Sequence, residues 1–275
     1  MSDVKITRDG HVGIVELQRG PNNFVDIAAI DAIANAYDEL DADKECRAVV
    51  LCSEGKHFCA GANLAERVKD DGDSITQEAG RHLYQEAHRL VSNKKPVIAA
   101  IQGAAVGAGI GLALTADFRV GCPEARLSAN FARQAYHPGF GTTFTLPRVV
   151  GQQKAAWMFM SGERVPGEEA LEIGLLDRLV ADAEGTLWPL RVAVTGITPP
   201  QIMTWDRDHL AGRMRPEDGL AALDRVLPEI RAHDPDLVVV LSHGGPGRDT
   251  PAPGDENLSI AVGALEDVDV VIAGH

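Results

Sequence analysis

The sequence has no long hydrophobic segment, although 45% of its 275 residues are hydrophobic. Its most apolar stretch, residues 97–116, is interrupted by Gln102 and by several glycines, and it falls short of the ~18 consecutive apolar residues typical of a membrane helix. The start of the chain also has no apolar core of the kind found in signal peptides. We therefore predict a cytoplasmic protein that has no membrane partner.

Cysteine and positive charge are both scarce. The four cysteines have neither the paired spacing of a disulfide framework nor the spacing of a metal site, so we expect reduced thiols. The chain has 26 Lys and Arg against 40 Asp and Glu, which gives a formal net charge of −14. This charge disfavours nucleic acid as a partner. It does not exclude an anionic small ligand, because backbone N–H groups can hold one.

Hydrophobic patterning alternates strands with helices and predicts the α/β fold class. In the first part of the chain we expect strands at residues 4–7, 12–17, 48–53, 96–102, 118–121 and 126–129, and helices at 26–41, 76–92, 107–115, 151–161 and 168–173. The last part follows a βαβαβ pattern, with strands at 191–197, 236–242 and 268–273 and helices at 216–233 and 256–265.

Two loops rich in small residues follow predicted buried strands, at residues 55–64 and 103–111. Small residues allow tight turns that leave backbone N–H groups facing a ligand, and the second loop runs into a helix N-terminus. Two such amides directed at one carbonyl would stabilise an enolate or a tetrahedral oxyanion. A purely structural role for both loops is the alternative. A dinucleotide-binding loop is disfavoured because Leu112 stands where the third glycine of its motif would fall.

These loops, with Pro-Gly-Phe-Gly-Thr-Thr at 138–143, Leu-Pro-Arg-Val-Val-Gly at 146–151 and Ser-Gly-Glu-Arg at 161–164, resemble the crotonase (enoyl-CoA hydratase/isomerase) superfamily over residues 1–182. The resemblance implies a spiral of ββα units, a role in fatty acid metabolism as a lyase or isomerase, and an acyl-CoA ligand with no further cofactor. It assigns the oxyanion hole to the amides of Ala62 and Ala108. It also implies a substrate-binding set, which comprises Lys56, Phe58, Ala60, Gly61, Ala62, Asn63, Leu64, Gly107, Ala108, Gly111, Phe131 and Gly139.

The sequence departs from this family at its acid–base positions. Gly111 and Phe131 stand where hydratases carry two catalytic glutamates, and Gly139 stands at a third position for an acid. Ordinary hydration is therefore not expected. Tyr136 and His137 are the candidates to replace the missing groups, because a histidine titrates near neutrality, although we favour a structural role for His137 in its loop. The reaction stays open between an acyl-CoA enzyme and a non-catalytic acyl-CoA-binding pseudoenzyme.

Residues 187–275 carry different motifs, namely Thr-Pro-Pro-Gln-Ile-Met-Thr-Trp-Asp at 198–206 and two predicted strands followed by His243 and His275. They resemble an internal fragment of the dinuclear metallophosphoesterases of the 5′-nucleotidase and 2′,3′-cyclic-nucleotide phosphodiesterase type. That resemblance implies metal binding by both histidines. The family's other ligands have no counterpart in this chain, so the site is incomplete and a bound divalent metal is not expected.

The sequence therefore predicts a chimeric chain. Residues 1–182 would form a crotonase-like domain that lacks its C-terminal helices, and residues 187–275 would form a βαβαβ metallophosphoesterase-like fragment, with the join near residues 183–187. Crotonases use those missing helices to cover the acyl pocket and to build a trimer. Family resemblance thus implies a homo-oligomer, but the segment that builds its interface is replaced here.

Overall fold

The computed structural model describes residues 3–62, 83–180, 192–205, 217–235, 237–252 and 255–274. The chain divides into two compact units, residues 1–187 and residues 188–275, and each has its own hydrophobic core. The predicted join near residues 183–187 lies outside the described residues. Within the described residues, every helix is too short or too polar to span a bilayer.

The first unit contains two sheets. Its strands are β1 (Val4–Asp9), β2 (Val12–Leu17), β3 (Ala48–Ser53), β4 (Val97–Ile101), β5 (Ala104–Val106), β6 (Phe118–Gly121), β7 (Arg126–Ser128), β8 (Val165–Pro166) and β9 (Arg178–Leu179). The larger sheet has the order β1-β2-β3-β4-β6-β9, and it is parallel except for the β1–β2 pair. The smaller sheet has the order β5-β7-β8.

Helices connect these strands. They are α1 (Ile27–Ala42), α2 (Leu83–Leu90), α3 (Ala108–Ala113), α4 (Thr142–Val150), α5 (Gln152–Ser161) and α6 (Gly167–Glu172). Strand β4 belongs to the larger sheet, the next strand β5 belongs to the smaller one, and helix α3 follows. Strands β6 and β7 likewise belong to the larger and the smaller sheet in turn. The predicted α/β class is confirmed. The helix predicted at 76–92 is described only as α2, since residues 63–82 lie outside the described part of the chain.

Helix α1 shows how the sequence determines its local structure. Asp26 caps its N-terminus, because the side chain accepts a hydrogen bond of 2.8 Å from the Ala29 amide. Apolar residues then recur at helical spacing and enter the core of the first unit, as Ile30, Ile33 and Tyr37 show. These two local signals therefore specify where α1 begins and which of its faces is buried.

The second unit has the predicted βαβαβ order. Its elements are β10 (Val192–Ile197), a short helix α7 (Ile202–Trp205), α8 (Gly219–Ala232), β11 (Leu237–His243), α9 (Ser259–Gly263) and β12 (Val270–Gly274). The three strands form a parallel sheet in the order β10-β11-β12. Its core is formed on one side of β11, where the side chains of Val238, Val240, Leu223, Leu227, Leu258 and Val262 are buried together.

Candidate functional site

The first small-residue loop is held in place by Asn23, a fully buried residue that sequence reasoning missed. Its side-chain amide donates hydrogen bonds to the carbonyl oxygens of Glu54 (2.8 Å) and His57 (2.7 Å). Its Oδ1 accepts a hydrogen bond of 3.0 Å from the Arg19 amide. Asn23 lies at φ 50°, in the left-handed region that asparagine tolerates better than most residues. One side chain thus ties the loop to the segment that precedes α1.

The two loops are joined by backbone hydrogen bonds. The Cys59 amide donates to the Ala104 oxygen (2.9 Å), and the Val106 amide donates to the Cys59 oxygen (3.0 Å). The Val25 amide donates to the Gly61 oxygen (2.9 Å). The first loop therefore lies alongside β5 and leads into Ala62, while β5 leads into α3.

Glycine is required where the loops approach most closely. A Cβ atom on Gly109 would lie 2.0 Å from the Cys59 oxygen, so no larger residue fits there without moving the backbone. Gly61 has a φ of 116°, and a Cβ atom on it would lie 3.0 Å from the Val106 oxygen. The first turn of α3 consequently packs directly on the backbone of the first loop. Ala62 follows Gly61, and Ala108 precedes Gly109.

Two backbone amides at this junction, those of Ala62 and Ala108, are candidate hydrogen-bond donors. Ala108 is the first residue of α3, so its N–H has no acceptor within the helix. Among the hydrogen bonds of the described residues, none has the amide of Ala62 or of Ala108 as its donor. Both residues are half-buried. Within the described residues, each of these two amides is therefore available as a hydrogen-bond donor.

Gly111 is buried against Phe140. After Asn23, Phe140 is the second residue whose contribution to the site was missed by sequence reasoning. A Cβ atom on Gly111 would lie 2.7 Å from the Phe140 Cβ. Phe140 is only 8% exposed and belongs to the core of the first unit. The signal for this contact was present in the Pro-Gly-Phe-Gly turn, but the sequence does not show which helix the aromatic ring meets.

The remaining predicted substrate-binding residues of the first unit occupy several environments. Phe58 is fully buried in the core, Lys56 is exposed and Ala60 is half-buried. Phe131 is half-buried and packs against the core just before a 3₁₀ turn. The last two residues of this set are glycines, and both form backbone hydrogen bonds. The Gly107 amide donates to the Ser128 oxygen, and the Gly139 oxygen accepts from the Thr142 amide. Asn63 and Leu64 lie outside the described residues.

Tyr136 and His137 lie on the exposed turn before α4. The Tyr136 side chain is 51% exposed. The His137 Nδ1 atom lies 3.0 Å from the Pro138 oxygen, which is the contact expected of a histidine that stabilises its own loop. Among the described hydrogen bonds, none links either side chain to the loops that carry Ala62 and Ala108.

Cys59 is the one thiol within the two joined loops. Burial raises its pKa to about 12, which outweighs the opposing effect of the nearby Gly61 and Val25 backbone. A thiol with such a pKa is almost fully protonated at neutral pH, and the protonated form is a poor nucleophile. Cys59 therefore shapes the loop through its backbone and offers no thiolate for catalysis.

The predicted metal ligands of the second unit do not form a site in the part of the structure that is described. His243 is exposed at the end of β11, and His275 lies outside the described residues. Across the described ranges, no three His, Cys, Asp or Glu side chains come together in a group that could hold a metal ion. Within the described residues, His243 by itself does not fit a dinuclear metal centre, which needs several ligands for each ion.

Comparisons with known proteins agree with the geometry of the first unit. The family model described as enoyl-CoA hydratase/isomerase matches residues 7–188. A probable enoyl-CoA hydratase of Bacillus subtilis is 32% identical over 179 residues, which cover 64% of this chain and 68% of that protein. A probable enoyl-CoA hydratase of Mycobacterium tuberculosis is 36% identical over 180 residues, or 65% of this chain and 70% of that protein. The solved enoyl-CoA hydratase of Bacillus anthracis superposes with a TM-score of 0.60 at 30% identity, covering 65% of this chain and 70% of that one.

Proposed function

The chain belongs to the enoyl-CoA hydratase/isomerase family, and from that premise we propose that its first unit binds an acyl-CoA thioester. In this proposal the amides of Ala62 and Ala108 donate to the thioester oxygen, where they polarise the carbonyl and stabilise an enolate. The observation that carries the proposal is the packing of Gly109 on the Cys59 backbone. That contact brings together the two loops that contain Ala62 and Ala108, whose amides donate no hydrogen bond among the described residues.

We propose that this site lacks the usual acid–base pair. Gly111 and Phe131 carry no ionisable group, and the Cys59 thiol is held protonated by burial. Without a positioned base, hydration loses the contribution of about 10²–10⁴-fold that such a group supplies. Crotonyl-CoA turnover should then fall well below the ordinary enzyme range of ~1–10³ s⁻¹. Either slow acyl-CoA chemistry or acyl-CoA binding without turnover fits this site.

A single substitution tests the amide donors. Ala108→Pro removes one N–H at the first position of a helix, where proline is tolerated because that N–H has no helical acceptor. One neutral hydrogen bond contributes about 0.5–1.5 kcal/mol, so calorimetry should show roughly 2- to 12-fold weaker crotonyl-CoA binding. Affinity for free CoA, which has no thioester carbonyl, should not change.

The matched control is Gln152→Pro, the same change at the exposed first residue of α5. This variant should bind both ligands like the unchanged protein. Equal loss of crotonyl-CoA and free CoA in Ala108→Pro, or no loss of either, would contradict the proposal.

We retain Tyr136 and His137 as candidate acid–base groups because they are the ionisable residues of the turn that precedes α4. If His137 acts as a base, His137→Ala should abolish any residual crotonyl-CoA turnover. Tyr136→Phe removes the hydroxyl group and keeps the aromatic ring, so it tests whether the hydroxyl takes part in the reaction. Unchanged rates and pH profiles in both variants would leave only the stabilising role of these residues.

For the second unit we propose kinship with an internal piece of the metallophosphoesterases, joined to the crotonase-like first unit. The support is the parallel order β10-β11-β12, with His243 at the end of β11, together with the sequence motifs. Because the described residues do not supply a set of metal ligands, we assign no phosphoesterase step to this unit. Purified protein should not hydrolyse cyclic nucleotides with added Mn²⁺, and measurable hydrolysis would contradict this assignment.

We also propose that the protein is a homo-oligomer, a trimer by family resemblance. Three large apolar side chains are exposed on α4 and α5, namely Phe144 (64%), Trp157 (58%) and Met160 (81%). Exposed apolar groups of this size are typical of surfaces that are covered by a partner. Light scattering tests the proposal directly, and a monomer at micromolar concentration would refute it.

A further inference from the structure

Phe140 occupies the space in which a side chain at position 111 would lie. A Cβ atom on Gly111 would approach the Phe140 Cβ at 2.7 Å and its Cγ and Cδ1 at 2.9 Å. These are atoms at the root of the aromatic side chain rather than at a flexible end. Rotation of the ring therefore cannot make room, and the two positions are coupled.

The backbone holds Phe140 in this place. Phe140 has a φ of 55° and Gly141 a φ of 69°, so two successive residues adopt the left-handed region. A residue with a Cβ atom adopts that region only where the surrounding structure requires it. The turn is fixed by Thr142, whose amide and Oγ1 both donate to the Gly139 oxygen, at 3.1 and 2.7 Å. The Phe140 side chain cannot withdraw from Gly111 unless the turn that begins α4 opens.

Position 111 has a defined relation to the proposed oxyanion donors. Gly111 lies three residues after Ala108 on α3, so both positions are on the same side of the helix. Side chains on a helix lean toward its N-terminus, and a side chain at 111 would therefore extend toward Ala108. A carboxylate at this position would reach toward the carbon atoms next to a thioester carbonyl bound at Ala108.

We propose that Phe140 is a specificity-determining residue, because its aromatic side chain fills the volume on Gly111 and so closes the acyl site to a carboxylate and to the water that a carboxylate would activate. This inference rests on the proposed acyl-CoA function. It assigns to Phe140 an apolar wall beside the reacting carbons. It also implies that a glutamate at position 111 cannot restore acid–base chemistry while Phe140 is present.

The coupling is tested first through stability. Gly111→Ala overpacks the site and should lower the melting temperature by roughly 2–12 °C. In a Phe140→Gly background, which removes the Cβ atom as well as the ring and suits the φ of 55°, the same change should have almost no effect. The matched control is Gly109→Ala, whose Cβ would lie 2.0 Å from the Cys59 oxygen. Phe140→Gly should not rescue that variant, because its obstacle is backbone.

The functional test uses exchange of the α-protons of butyryl-CoA in D₂O, followed by mass spectrometry. A carboxylate at position 111 would take a proton from the α-carbon and leave the electron pair as an enolate held by the two amides. The resulting carboxyl would exchange its proton with D₂O and then return a deuteron to carbon. Gly111→Glu with Phe140→Gly should exchange at least about 10²-fold faster than either single variant. Binding of butyryl-CoA is measured for each protein beforehand.

The outcomes separate this inference from the function on which it rests. If the unchanged protein does not bind butyryl-CoA, the proposed function is wrong, whatever the stability cycle shows. If it binds, but Gly111→Ala is equally destabilising with and without Phe140, the inference is wrong. A Gly111→Glu variant that exchanges as fast as the double variant would also refute it. Should the double variant not fold, Phe140→Gly must favour 2-methylbutyryl-CoA over butyryl-CoA relative to the unchanged protein, and an unchanged preference refutes the inference.

Discussion

Replacing Asn23 by aspartate should loosen the first loop of the candidate site. The change preserves the shape of the side chain and an oxygen that accepts from the Arg19 amide. It replaces the Nδ2 donor by an oxygen that faces the carbonyl oxygens of Glu54 and His57. Asn23→Asp thus removes two hydrogen bonds and puts like partial charges in contact in a fully buried position.

The magnitude follows from the two acceptors that lose their donor. A buried polar group left without a partner costs about 1–3 kcal/mol, so the two together cost roughly 2–6 kcal/mol. Because 1 kcal/mol corresponds to about 2–4 °C for a unit of this size, the melting temperature of the first unit should fall by roughly 4–24 °C. The affinity for crotonyl-CoA should fall as well, since the loop carries Ala62.

Asn22→Asp is the matched control. It makes the same chemical change one residue earlier, at a half-buried side chain that has no hydrogen bond among the described residues. Thermal unfolding followed by circular dichroism should separate the two variants by several degrees. If Asn23→Asp unfolds within about 1 °C of Asn22→Asp, then Asn23 does not anchor this loop and the argument fails.

Three further predictions concern thiols, a helix cap and the division of the chain. All four cysteines are buried, and burial raises the pKa of Cys52 and Cys59 to about 12, so Ellman's reagent at pH 8 should react with them only after denaturation. Burial opposes ionisation of Asp26, but hydrogen bonds from Arg19 and the Ala29 amide hold its pKa below the ordinary 3.8. Asp26→Ala should therefore cost about 1 kcal/mol at pH 7, and the difference in denaturant unfolding should disappear as the pH falls below the pKa of the folded state. Limited proteolysis should cut preferentially between about residues 180 and 190 and leave a resistant N-terminal fragment, because each unit has its own core; a single cooperative unfolding step without such cleavage would contradict the division.

The parts of the fold that could be predicted are those that depend on near neighbours in sequence. Helix α1 follows from an aspartate cap and from apolar residues at helical spacing, and β2 and β3 occupy the predicted residues. Helix α4 was not predicted, because Pro147 lies within it and proline removes one helical hydrogen bond. The side chains of Leu146 and Thr142 on this helix are fully buried, and no local sequence pattern reveals that packing.

In the candidate site too, the sequence reveals the features that depend on local composition and not those that depend on contacts between distant segments. Glycine and small residues identified the two loops, since close backbone approach leaves a compositional signal. Asn23 could not be recognised, because its partners Glu54 and His57 lie 31 and 34 residues further along the chain. Phe140 stood within a quoted motif, yet its contact with Gly111 joins two segments that only the fold brings together.

A crystal structure with bound butyryl-CoA tests the central claim most directly. The account predicts that the thioester oxygen lies about 2.7–3.1 Å from both the Ala62 and the Ala108 backbone nitrogen, the range expected of an oxyanion hole. It also predicts that the Phe140 ring lies between Gly111 and the acyl chain. A thioester oxygen beyond hydrogen-bond distance of either nitrogen, or an acyl group bound elsewhere on the chain, would contradict the account.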